Sequence, residues 1–120
     1  MVTSNHIAIV GGVAEAVREA KEKLGYLHKV VVEVSTENEV KEAIEAGADV
    51  VVIADVSSAE FGKLAAIARE LSKSVAIECC GKITSANVRE YASAGAQLIR
   101  VEALTSAAQA MNISFRVQPF

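Results

Sequence analysis

Ala46-Gly47-Ala48-Asp49-Val50-Val51-Val52-Ile53 leaves one periodic segment through a glycine and enters an apolar, β-branched run with no loop in between. Glycine takes the left-handed conformation that ends a helix without a Cβ penalty, and valine packs well on a pleated surface. The stretch therefore reads as a helix end turning directly into a strand. It recurs downstream as Ala94-Gly95-Ala96-Gln97-Leu98-Ile99. Two such junctions in one short chain imply a repeated strand–helix unit rather than one isolated turn.

Working outward, β-rich runs are expected at Ile7 to Val10, Val30 to Val34, Val50 to Ile53, Val75 to Ile77 and Leu98 to Val101. Amphipathic helices are expected over Val13 to Leu24, Glu37 to Ala46, Ala59 to Leu71 and Ser85 to Ala94. Thr36 with Glu39, and Ser57 with Glu60, have the spacing of a capping box, and Gly25, Gly47 and Gly95 stand where helices should stop. Strands recurring every 20 to 25 residues or so, with helices between them, are the pattern of parallel strands joined by crossovers. The expected fold class is α/β with five parallel strands in a single domain, residues 1–120.

Valine runs imply strands covered on both faces. Five units suit an open, three-layer, flavodoxin-like sheet, preferred here for a free-standing monomer. The other architecture is half of a (β/α) barrel that pairs with itself, because a whole barrel takes about 250 residues. Leu98, Arg100 and Glu102 share one face of the last strand, which suits a sheet edge or a polar barrel lumen. Ile113 to Val117 reads as a sixth strand or as a tail that packs on a partner.

Composition narrows the function. The chain carries 12 Lys and Arg against 15 Asp and Glu, a net charge of -3, with the cations dispersed, so a nucleic-acid partner is not expected. Aromatic residues are only 4% of the chain, too few to build a stacking platform for single strands. Apolar residues reach 52%, yet no run approaches the roughly 20 needed to cross a bilayer, and no basic region leads into an apolar run at Met1. A cytoplasmic protein with no membrane partner is expected. Cys79 and Cys80 point to opposite faces of one strand, so a reduced, buried pair is expected rather than a disulfide or zinc site.

Chemistry-bearing residues gather at expected strand ends. Glu33 and Glu78 sit at carboxyl edges, where α/β proteins bind ligands; two carboxylates there suit magnesium or a ribose, and the alternative is that they are solvated or paired with Arg100 and Lys82. Gly81, Lys82 and Thr84 form a candidate anion site at the start of a helix, and Gly11-Gly12 a weaker one without a dinucleotide fingerprint. His28 is expected on the surface.

Asn5-His6-Ile7-Ala8, Val32-Glu33-Val34, Ala46-Gly47-Ala48-Asp49, Glu78 with Gly81-x-Ile83-Thr84-x-x-Asn87-Val88, and Ala103-Leu104-Thr105 together resemble the C-terminal portion of quinolinate phosphoribosyltransferase. The resemblance runs from Met1 to about Phe115. It implies a barrel portion of an enzyme of NAD biosynthesis. That enzyme joins quinolinate to phosphoribosyl pyrophosphate, releases pyrophosphate and carbon dioxide, uses magnesium, and works as a dimer whose other domain completes the site.

The resemblance makes Glu33 and Glu78 the family-matching carboxylates and Asn5, His6 and Arg100 the substrate-like residues. The family's Lys-Asp-Asn-His appears as Thr3-Ser4-Asn5-His6, the third-strand aspartate is Ala54 with Asp55 displaced by one place, and a phosphate-approaching glycine is Glu102. Lys82 replaces a further glycine of the family loop. With these departures the expected function is a diverged domain without transfer activity that binds a phosphate-bearing ligand. An active fragment needing a partner, with magnesium if the family reaction survives, is one alternative. An engineered or scaffold domain acting only as a homodimer is the other.

Overall fold

The computed structural model describes residues 1–119. Among them are four parallel strands, β1 (Val31–Val34), β2 (Val50–Ala54), β3 (Ala76–Cys80) and β4 (Leu98–Ile99). The helices are α1 (Ser4–Val10), α2 (Val13–Lys23), α3 (Glu37–Glu45), α4 (Ser58–Leu71), α5 (Val88–Ser93) and α6 (Ala103–Ser106). The α/β class and the parallel pairing are as the sequence pattern implied. The strand order is β1-β2-β3-β4, strictly sequential.

Sequential order decides between the two architectures. A flavodoxin-like sheet reverses direction after its first strands and places helices on both faces. Here α2 packs on α3, α3 on α4 and α4 on α5, a row of neighbours over one face of the sheet. That is the arrangement of a barrel segment, not of the open three-layer sheet preferred from sequence.

The first expected strand is a helix. Ile7 to Val10 belong to α1, begun by Thr3, whose amide and hydroxyl lie 3.2 and 2.7 Å from Nδ1 of His6, and stopped by Gly11 at φ 102. The place beside β1 is already taken, because the Val2 amide donates to Val31 O (2.7 Å) and Val2 O accepts from the Glu33 amide (2.9 Å). The chain therefore meets the sheet at Val2 and has turned helical before the β-branched run arrives. That leaves four strands instead of five. The last strand stops at Ile99, and residues 113 to 117 form no strand.

Helix boundaries otherwise follow the capping chemistry. Thr36 Oγ1 accepts from the Glu39 amide while the Glu39 carboxylate accepts from the Thr36 amide, a complete box for α3. Ser57 accepts from the Glu60 amide at the start of α4. Gly47 and Gly95 take positive φ after their helices, but Gly25 does not, and α2 ends at Lys23 on an extended Leu24. The helix expected from Ser85 begins only at Val88.

Strand alternation sends Val32, Val34, Val51, Ile53, Ile77 and Cys79 toward the helices, where they meet Val17, Val40, Phe61 and Ala68 in the main core. Phe61 packs edge-on against Tyr91 at 5.9 Å, and the Tyr91 hydroxyl donates to Val56 O at 2.8 Å. The opposite residues build a second, smaller cluster of Val52, Ala54 and Cys80 flanked by Val31 and Val50. No helix among the described residues is long and apolar enough to cross a membrane.

Candidate functional site

The carboxyl ends of the strands converge on one rim. There Glu33, Asp55, Cys80, Gly81, Lys82, Ile83, Thr84 and Glu102 line a cleft of about 490 Å³ with Ala103 and Ser106 of α6. A neighbouring cleft of about 470 Å³ shares Glu33 and Asp55 and adds Ser4, Ile7 and Glu39. Of the residues singled out from sequence, Glu33, Asp55, Gly81, Lys82 and Thr84 are thus brought together.

Asp55 reaches the rim by an unusual route. Counted along β2 it follows Ala54 and would face the helices, but its φ is 55, a left-handed conformation that a non-glycine residue seldom adopts. The turn re-aims the side chain, and Asp55 lines both rim clefts. Its amide donates to Cys80 O at 3.2 Å. Gly81 makes room for this, since a Cβ there would lie 2.8 Å from Asp55 Oδ1 and 3.2 Å from its backbone nitrogen. Gly81, at φ 126, is needed for that close approach whatever else it does.

Glu33, Val52, Glu78 and Leu98 are register partners, one row across the open face of the sheet. Glu78 Oε1 pairs with the Arg100 guanidinium at 2.6 Å, with Glu78 only 13% exposed. Of the alternatives open from sequence, Glu78 is paired, and it occupies the arginine expected to meet substrate.

The loop after β3 closes on itself. The Asn87 side chain accepts from the Thr84 amide (2.8 Å) and donates to Lys82 O (3.0 Å), and the Thr84 hydroxyl accepts from the Ala86 amide (3.3 Å). The Ile83 amide turns back to Gly81 O at 2.7 Å. The Thr84 and Ala86 amides are thus engaged within the loop. Asn87 holds the turn, and α5, six residues long, begins beyond it. Lys82 lines the cleft and has no carboxylate within 4.0 Å among the described residues.

Asn5 and His6 are not brought to this rim. Asn5 is exposed on α1, and His6 turns to Thr3 and lines a separate cleft with Met1 and Val31. His28 is exposed, with Nδ1 3.3 Å from Gly25 O. Gly11-Gly12 joins two helices instead of following a strand.

Both cysteines are buried and free. Burial pushes the Cys79 thiol up to about 11. Burial likewise raises Cys80; Arg100 opposes this, while Glu33, Asp55 and Glu78 reinforce it. Both shifts run away from the reactive thiolate form. Among the described residues no three His, Cys, Asp or Glu side chains gather to hold a metal ion.

Ser4, which stands where the family has an aspartate, lines this rim; Ile7 reaches it because its segment is helical and not the expected strand, and Glu39, expected only as a capping residue of α3, lines it too. The signal was present: Thr3 and His6 have cap spacing, and Gly11 has stop position.

The family model described as quinolinate phosphoribosyl transferase, C-terminal domain, matches residues 1–116. The chain belongs to this family. It is similar to the nicotinate-nucleotide pyrophosphorylase (carboxylating) of Homo sapiens, 35% identical over 117 residues, covering 98% of this chain and 39% of that protein. A solved nicotinate-nucleotide pyrophosphorylase from Francisella tularensis superposes with a TM-score of 0.78 and 36% identity, over 87% of this chain and 36% of that one. NadC from Streptococcus pyogenes gives a TM-score of 0.82 at 26% identity, over 98% of this chain and 40% of that one. The chain spans about two fifths of the length of the proteins it matches.

Proposed function

We propose that this domain keeps the strand–helix scaffold of the quinolinate phosphoribosyl transferase family and does not transfer a phosphoribosyl group by itself. One observation carries this reading: the rim cleft holds Glu33, Asp55 and Glu102 against the single cation Lys82. Quinolinate and phosphoribosyl pyrophosphate are both polyanions. At about 7 Å and an effective dielectric near 20, each pair of like unit charges costs roughly 2 kcal/mol. Arg100, the other nearby cation, is already neutralised by Glu78.

A second reading keeps a phosphate-bearing ligand at Lys82, which faces the cleft without a carboxylate partner. Against it stand the Ile83, Thr84 and Ala86 amides, each engaged within the loop. Binding there would rest on one ammonium group and be weak and salt-sensitive.

The test is pyrophosphate release from quinolinate and phosphoribosyl pyrophosphate with magnesium, using the concentrated chain. No release above the uncatalysed background is expected; steady turnover would overturn the proposal and restore the enzyme reading. Titrating inorganic phosphate while following backbone amide shifts separates the second reading. Shifts centred on Lys82 that disappear in Lys82→Ala would support it, and a flat response would remove it.

A further inference from the structure

Helix α1 is weak by its own sequence. Its 7 residues fall short of the roughly 12 at which a helix begins to hold without packing, and Ile7, Ile9 and Val10 are β-branched. Packing adds little, because none of its residues is fully buried and only Ile7 is half-buried against the core. Behind it stands Gly11 at φ 102, with no atom within 4 Å of where a Cβ would lie, so the joint to α2 imposes no side-chain contact. What remains to fix α1 is its first turn.

That turn is closed by a histidine. A capping box ordinarily uses glutamate or glutamine at the third helical position to accept the amide of the cap residue. In α1 that position is His6, whose Nδ1 accepts from the Thr3 amide at 3.2 Å and lies 2.7 Å from the Thr3 hydroxyl. Accepting from an amide needs a lone pair on Nδ1, which only the neutral ring with its proton on Nε2 provides. The imidazolium carries N–H at both positions and accepts at neither. It also sets a positive charge in the first turn, where the helix dipole is already positive. Both effects weaken α1 as the ring takes up a proton, and histidine is the side chain that changes charge near neutral pH.

The neighbours leave this chemistry to His6. Lys23 of α2 and Lys29 line the cleft of the ring together with Met1, and the two lysines pair with Glu19 and Asp49. No other residue of α1 is ionisable. On its other flank Ser4, Ile7 and Ala8 form one wall of the rim cleft, across from Glu33, Glu39 and Asp55. The Glu39 carboxylate is engaged by the Ser35 and Thr36 amides.

We propose that His6 is a pH-dependent latch on that wall. Neutral, it caps α1 and holds Ser4, Ile7 and Ala8 against the rim; protonated, it releases the first turn, and the β-branched run behind it loses its helical form while Val2 stays bonded to β1. The latch is a property of the wall and does not depend on what the cleft binds.

The experiment follows the Cα chemical shifts of residues 4–10 in the full chain from about pH 8 to about pH 5, with the ring resonances of His6 recorded in the same samples. The helix–coil equilibrium of α1 should fall about fivefold toward acid, the factor an ordinary lost cap costs, with the midpoint of the His6 ring titration. Strands β2 and β3 should keep their shifts throughout. His6→Gln, which keeps an acceptor at that position and does not titrate, should hold α1 helical at both ends of the range. His28→Gln, at the other histidine of the chain, should leave the transition in place. Helical shifts indifferent to pH, a transition that survives His6→Gln, or one in which β2 and β3 change together with α1 would each overturn the proposal.

Discussion

The two faces of this sheet are built from the same residue types and have different fates. On the helix side Val32, Val51, Ile53 and Ile77 are fully buried or nearly so beneath α2, α3 and α4. On the other side Val31, Val50 and Leu98 remain partly or half exposed around a small apolar patch, and the row carries Glu33, Glu78 and Arg100. A parallel sheet ordinarily requires cover on both faces. Here the helix face carries the stability and the open face carries the charge and the unmet surface. Paired substitutions can break that contrast or sharpen it.

The largest effect belongs to the covered face. Phe61→Ala removes a fully buried ring in contact with Tyr91 and should cost about 4 kcal/mol in urea unfolding, whereas Val50→Ala on the open face should cost about 1 kcal/mol or less. Equal losses would erase the distinction between the faces.

At the rim, Gly81→Ala is expected to cost about 2 kcal/mol. It places a methyl against the Asp55 backbone at a φ that disfavours any side chain. The same unfolding measurement checks it, and a neutral result would mean that the Asp55 turn relaxes freely.

The smallest effect is a pH dependence below the sheet. The Val30 amide holds the Asp49 carboxyl below its usual value; partial burial works against this, and Lys29 and Lys21 assist. A depressed carboxyl contributes stability above its unfolded value near 4 and loses it as pH falls through the lower folded value. Asp49→Asn should therefore cost about 1 kcal/mol at pH 7 and almost nothing at pH 2, read from urea midpoints at both pH values. Glu39 adds to the acid limb in the same sense, since burial raises its pKa but the Ser35 and Thr36 hydrogen bonds outweigh that. A residual pH slope should survive in the variant.

Legibility followed the range of the interaction. The Thr36–Glu39 box, the Gly47 and Gly95 stops and the valine strands are local events, set within a few residues, and the structure has them where they were expected. Ile7 to Val10 misled because β-branched residues suit a strand, while the cap at Thr3 and the prior claim of Val2 on the β1 edge turned the segment helical. Glu78 with Arg100 could be anticipated as a pair from alternation. The recovery of Asp55 could not, because it depends on a left-handed turn that only contact with Gly81 accommodates.

Local spacing and side-chain chemistry alone determined the α/β class, the caps of α3 and α4, the Gly47 and Gly95 stops and the family resemblance. Strand order, the one-sided helix layer and the return of Asp55 to the cleft were decided only in three dimensions. Each depends on which distant surfaces meet, and a pattern read over a few residues carries no information about its partner.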